Sequence, residues 1–152
     1  MSVEMQKQDS MAKTQIELRI CANPEYLGVV RTAVRQVTGV VGMAEDKSEP
    51  VILAVVEALT NVIRHSYGGP CEKPIIVKVS KIEGCDKNKA ALEITIRDFG
   101  KQVEPEKIKG RDLDDIKPGG LGVHIIQSVM DEIEFSRADE CGMQLRMVKY
   151  IT

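Results

Sequence analysis

The period at which apolar residues recur switches back and forth along the chain, and the order of those switches restricts the fold more than any single motif. Ile16, Leu18 and Ile20 alternate with Glu17 and Arg19, the period of a half-buried strand over residues 14–20. From Leu27 the apolar positions recur at helical intervals through Val30, Val34, Val37 and Val41, behind Asn23 as a helix cap and Pro24 in the first turn. This helix is expected to end near Gly42. A second helix is expected to begin at Asp46 or Ser48, to tolerate Pro50 in its first turn, and to run through a dense apolar stretch to Gly68-Gly69-Pro70. Period two returns over residues 75–82 and 92–97, which read as paired antiparallel strands around the polar segment 84–89. Residues 101–118 are charged, aperiodic and contain two prolines, so they read as a long mobile loop. Gly119-Gly120-Leu121-Gly122 then opens a helix bearing Val123, Ile126, Val129 and Met130, followed by strands around residues 133–136 and 143–151. The order βααββαββ lacks strict alternation. It predicts an α+β fold, a two-layer α/β sandwich with three helices on one face of a mainly antiparallel sheet, rather than a doubly wound one.

A length of 152 residues with 43% apolar content suits one domain, which we assign to residues 14–152 behind a polar tail at 1–13. The charges, 21 basic and 23 acidic, are spread along the chain, so direct nucleic-acid binding is not expected. No segment approaches the roughly 20 apolar residues of a membrane span, and the polar start lacks a secretory h-region, so a cytoplasmic protein is expected. Cys21, Cys71, Cys85 and Cys141 form no C-x-x-C pair and read as free thiols.

Three places carry candidate chemistry. On the second helix, Glu57, Asn61, Arg64 and His65 fall within about 100° of one another at 3.6 residues per turn, opposite Val51, Val55, Leu59 and Val62. This is either a functional polar patch or an exposed stripe. Asp98 shares parity with Leu92, Ile94 and Ile96, so its carboxylate would face the core. A buried carboxylate needs a dedicated donor, from the protein or from a ligand such as an exocyclic amine; alternatively Asp98 only opens a turn before Gly100. The triplet Asp98-Phe99-Gly100 mimics a motif of eukaryotic-type protein kinases, but no G-x-G-x-x-G loop or H-R-D motif accompanies it. The Gly119–Gly122 cluster at a helix start is either a hinge or a phosphate cradle, and it is not a Walker A loop.

In this order, EALTNVIRHSYGG, IRDFG and PGGLGVHIIQSVMDEIEF resemble the N-box, first glycine box and second glycine box of the Bergerat-fold ATPases of the GHKL superfamily. More closely they resemble the anti-sigma-factor serine/threonine kinases of bacterial partner-switching systems, from about Thr14 to the end. The resemblance implies ATP and Mg2+, with Glu57 as general base and Asn61 as a Mg2+ ligand. It implies that Asp98 bonds the adenine amine, that Gly100 lets the base approach the backbone, and that Gly120, Leu121, Gly122 and Val123 present N–H groups to the phosphates. His65 and His124 would line the nucleotide site, and Lys107, Lys109 or Arg111 of the loop would neutralise phosphate charge. The implied partners are a STAS-type anti-anti-sigma substrate, a sigma factor or equivalent target, bound by a surface that includes the first helix, and a second copy of the chain in a homodimer. Two departures stand out: Met143 follows Gly142 where the family commonly has Thr, which would weaken adenine binding or leave it to water, and the D-x-G box lacks a second glycine. A non-catalytic nucleotide-gated switch is the rival reading, and a histidine-kinase catalytic domain is another. The latter needs a phosphoacceptor histidine, whereas both histidines here lie within the ATP motifs.

Overall fold

The computed structural model of the chain describes residues 14–83, 89–108 and 122–152. Strands β1 (Thr14–Cys21), β2 (Pro74–Glu83), β3 (Ala90–Arg97), β4 (Glu132–Arg137) and β5 (Met143–Tyr150) form one antiparallel sheet in the order β1-β2-β3-β5-β4. Helices α1 (Leu27–Val40), α2 (Glu45–Asn61) and α3 (Gly122–Val129) contribute to a single core with one face of that sheet. The element order and the two-layer α+β architecture agree with the periodicity. On β3 the inward positions are Leu92, Ile94 and Ile96, flanked in register by Val77 and Val79 of β2 and by Leu145 and Met147 of β5. On the other face Glu93 and Arg146 form an ion pair at 2.7 Å.

The helix boundaries show where local signals give way to packing. Asn23 accepts the N–H of Glu25 as expected, but it caps a 3-10 turn over Pro24–Tyr26, and α1 starts only at Leu27. The end of α1 is a Schellman turn: Gly42 has φ +80°, its N–H reaches Gly39 O, and the Met43 N–H reaches Thr38 O. Helix α2 starts at Glu45 behind Ala44, without a side-chain cap, so Pro50 lies in its second turn rather than its first. Glu45 and Asp46 in the first turn favour the positive end of the dipole. Packed against α1 on one side and α3 on the other, α2 buries a wide face of Val51, Ile52, Ala54, Val55, Ala58 and Leu59. Burial on both flanks explains why its apolar stretch is denser than one stripe.

The second helix does not continue as an α-helix to the Gly68-Gly69 stop. Val62–Ser66 form a π turn, closed by the Tyr67 N–H on Val62 O at 3.0 Å, and Gly68 (φ +73°) and Gly69 (φ +135°) complete the reversal. The wheel expectation is not met where the π turn begins: Ile63 is buried and Val62 is only half-buried. The expected 101–118 loop is described up to Ile108, and 101–108 is fastened rather than loose. Gln102 Nε2 donates to Ala138 O at 2.6 Å, Val103 N–H to Met143 Sδ at 3.4 Å, and Pro105–Lys107 form a 3-10 turn. Cys21, Cys71 and Cys141 are free thiols, and Cys85 lies outside the described residues. Among the described residues no helix is long and apolar enough to cross a membrane.

Leu59 is fully buried and Leu53, six residues earlier on α2 and so on another face, is 49% exposed. Leu59→Ala should therefore cost about 2–5 kcal/mol of stability, while Leu53→Ala should stay within about 0.5 kcal/mol of the parent. Urea midpoints at unchanged slope test the contrast; equal losses would refute this assignment of the core.

Candidate functional site

The candidate site forms where α2, the end of β3, the start of α3 and the β4–β5 turn converge. Asp98 lies just past the last assigned residue of β3, yet its N–H still bonds Met143 O at 3.0 Å, so the ladder extends one step beyond the strand. The residue is 3% exposed. Oδ1 accepts the N–H of Gly100 at 3.0 Å and that of Met143 at 3.2 Å. The two readings of Asp98 thus coexist: strand parity turns it inward, and the bond to Gly100 makes the turn. Both donors converge on Oδ1, which leaves Oδ2 as the oxygen suited to a ligand. Among the described residues no sealed side-chain oxygen or nitrogen lacks a partner.

Two glycines allow the segments to close. A Cβ on Gly100 would lie 2.8 Å from the carbonyl carbon of Ser66 and nearer still to its oxygen, which also accepts the Lys101 N–H at 3.3 Å. The close approach seen at Gly100 is thus that of the α2 terminus. Gly142 has φ +77°, and a Cβ there would lie 2.6 Å from the carbonyl carbon of Asp98. The Arg97 guanidinium braces this corner, donating to Asp98 O and to Cys141 O while stacking 4.2 Å from the Phe99 ring centroid.

The four polar residues read as one patch on α2 divide in two. Glu57 and Asn61, one turn apart, are half-buried and meet at the start of α3. A Cβ on Gly122 would lie 3.0 Å from Glu57 Oε2, 3.2 Å from Asn61 Nδ2 and 3.3 Å from Asn61 Oδ1. Arg64 and His65 lie on the π turn, exposed. Gly122 is buried, whereas Val123 and His124 are half-buried on the first turn of α3, which leads with backbone N–H groups free of intrahelical partners. Gly120, Leu121, Lys109 and Arg111 lie outside the described residues.

Met143 stands where the resembled family commonly has Thr. Its backbone N–H bonds Asp98, which any residue could supply, and its thioether accepts the Val103 N–H, which ties the beginning of the loop to β5. Sequence reasoning missed Arg97 and Tyr67. Tyr67 packs against the core while its hydroxyl bonds Phe99 N–H at 2.8 Å; a tyrosine inside an otherwise polar HSYGG segment, with an apolar ring and a polar tip, was the available signal.

A model of the histidine kinase-like ATPase domain matches residues 20–149. Serine-protein kinase RsbW of Bacillus velezensis is 30% identical over 145 residues, covering 90% of this chain and 85% of that protein. The protein of the same name from Staphylococcus epidermidis is 32% identical over 151 residues, covering 93% and 91%. Among solved structures, a chain of the SiaB–SiaC complex from Pseudomonas aeruginosa aligns with a TM-score of 0.64 at 12% identity, covering 96% of this chain and 95% of that one. The RsbU and RsbW domains of a Mycobacterium tuberculosis protein align with a TM-score of 0.58 at 12% identity, over 88% of this chain and 31% of that one. These two likenesses are of fold.

Gly100→Ala tests the closure of the site. The methyl group must push the turn away from Ser66, at a cost of about 1–3 kcal/mol. Denaturant unfolding should register that loss and amide exchange at Lys101 should accelerate; unchanged exchange at Lys101 would show that the close approach does not constrain the turn.

Proposed function

The chain belongs to the histidine kinase-like ATPase domain family, among serine-protein kinases of the RsbW type, and we propose that it phosphorylates a serine or threonine of a small STAS-type anti-anti-sigma partner and sequesters a sigma factor or equivalent target. The observation that carries this reading is the buried Asp98 carboxylate. It is a buried acceptor-only group, with one oxygen committed to two backbone donors and the other suited to a ligand amine. An adenine amine meets that requirement.

In this reading the serine or threonine oxygen of the partner bonds to the γ-phosphorus of ATP, the bond to the β–γ bridging oxygen breaks, ADP leaves, and the hydroxyl proton passes to the Glu57 carboxylate. Glu57 suits the role because it is half-buried and directed to the opening of α3. The remaining catalysis is positioning and electrostatics: Gly120, Leu121, Gly122 and Val123 offer N–H groups to the phosphates at a helix N-terminus, with His65 and His124 beside the nucleotide. Lys107, Lys109 or Arg111 would add positive charge. The Asn61 amide oxygen suits Mg2+, which commonly takes one or two protein oxygens and completes its shell with phosphates and water. Bound there, the ion would neutralise phosphate charge. A cytoplasmic homodimer is part of the proposal.

Asp98→Asn is a severe test. Oδ1 must accept two N–H groups, so the Asn amide would place its oxygen there and turn its NH2 toward the ligand, donor against donor. ATP affinity should fall about tenfold or more, in line with the ~1.5–3 kcal/mol of a charged hydrogen bond. Calorimetry showing unchanged affinity would remove the adenine contact.

Glu57→Ala should separate binding from chemistry. ATP affinity should change little, while transfer of labelled phosphate to the partner should fall about 10²-fold or more. Transfer at the parental rate would eliminate Glu57 as the base, and partner binding without any transfer by the parent protein would favour the non-catalytic switch.

A further inference from the structure

Tyr67 stands where three elements meet. It follows the π turn at the end of α2, and its phenolic oxygen lies 2.5 Å from Pro74 O at the start of β2 and 2.8 Å from Phe99 N past the end of β3. A carbonyl only accepts and an N–H only donates, so the phenol proton points to Pro74 and a lone pair receives Phe99. One orientation satisfies both. Burial pushes the Tyr67 phenol above its ordinary pKa, opposed by the Phe99 bond, so at neutral pH it keeps the proton that it donates.

The bond to Phe99 completes a set. From Asp98 to Lys101 the consecutive backbone N–H groups go to Met143 O, Tyr67 Oη, Asp98 Oδ1 and Ser66 O. Of these four acceptors, only the Tyr67 hydroxyl is a side chain from outside the turn. Rotation of the Asp98–Phe99 peptide would move the Asp98 carbonyl, which the Arg97 guanidinium holds, and disturb the turn that brings the Gly100 N–H to Asp98 Oδ1.

We propose that Tyr67 is a positioning residue for base recognition: its hydroxyl fixes the Asp98–Phe99 peptide so that the Asp98 carboxylate addresses the 6-amino group of a purine. This rests on the adenine role of Asp98. It assigns to Tyr67 a part in the choice of base rather than in nucleotide affinity as a whole, because the phosphates are held by other elements.

The test compares Mg-ATP with Mg-inosine triphosphate, which has a carbonyl in place of the 6-amine, by calorimetry on the full chain. The parent should prefer ATP about tenfold or more. Tyr67→Phe, which leaves the Phe99 N–H and Pro74 O without this partner, should weaken ATP several-fold and leave the inosine nucleotide within about twofold, so the preference falls toward one. A general loosening of the fold would weaken both nucleotides together; that result, or an unchanged preference, overturns the proposal. Should Tyr67→Phe fail to fold, ring-fluorinated tyrosine at position 67 keeps the ring and hydroxyl but makes the oxygen a poorer acceptor. It should lower the preference in the same direction, and an unchanged preference overturns the proposal equally. Asp98→Asn separates the two levels: if it leaves the preference intact, the adenine role of Asp98 fails and the proposal falls with it, whereas loss in Asp98→Asn with retention in Tyr67→Phe removes Tyr67 alone.

Discussion

The carbonyl of Ser66 and the backbone of Gly100 lie closer than any side chain would allow, and the geometry of the site depends on that approach. Ser66 ends the π turn of the helix that carries Glu57 and Asn61; Gly100 ends the turn that begins at Asp98. Joining them brings the proposed base and metal ligand into a fixed relation with the proposed adenine acceptor, although some forty residues of chain separate the two groups. The Lys101 N–H on Ser66 O and the Phe99 N–H on Tyr67 Oη hold the same junction from either side. Backbone contact makes the relation stiff, because a main-chain carbonyl cannot change rotamer to accommodate a shift.

A sheet covered on one face makes such a junction possible. The inward rows of β2, β3 and β5 pack against three helices, and the row on β3 ends in a carboxylate instead of another apolar side chain. A carboxylate in that place is costly unless donors meet it, and the Gly142 turn delivers one of them, the Met143 N–H, by crossing within contact distance of the Asp98 carbonyl. The start of α3 supplies the other wall. Gly122 opens α3 against Glu57 and Asn61, where a larger residue would press on both side chains.

Much of this was legible because period and parity are local properties. Alternation over residues 14–20, 75–82 and 92–97 gave strands within one or two residues of those observed, and parity alone turned Asp98 inward. Capping was less informative. Asn23 did form its capping bond, but on a 3-10 turn, while α2 began without a side-chain cap because burial against α1, α3 and the sheet outweighs the roughly 1 kcal/mol that a cap contributes. The helical wheel misjudged Val62 and Ile63, because a π turn inserts a residue there and 100° per residue no longer applies.

The residues themselves determined the order of the elements, the two-layer class, the inward aim of Asp98 and the one-turn spacing of Glu57 and Asn61, since each follows from steric periods a few residues long. The tertiary structure decided what those groups face. That Oδ1 of Asp98 is taken by Met143 as well as Gly100, that Gly100 makes room for Ser66, that Met143 Sδ holds Val103, and that the Tyr67 hydroxyl bridges Pro74 and Phe99 are contacts between separate elements. No period encodes them, because they arise only when packing of the helices on the sheet brings backbone groups from distant parts of the chain within hydrogen-bonding distance, and a buried N–H or C=O must then find a partner among whatever lies there.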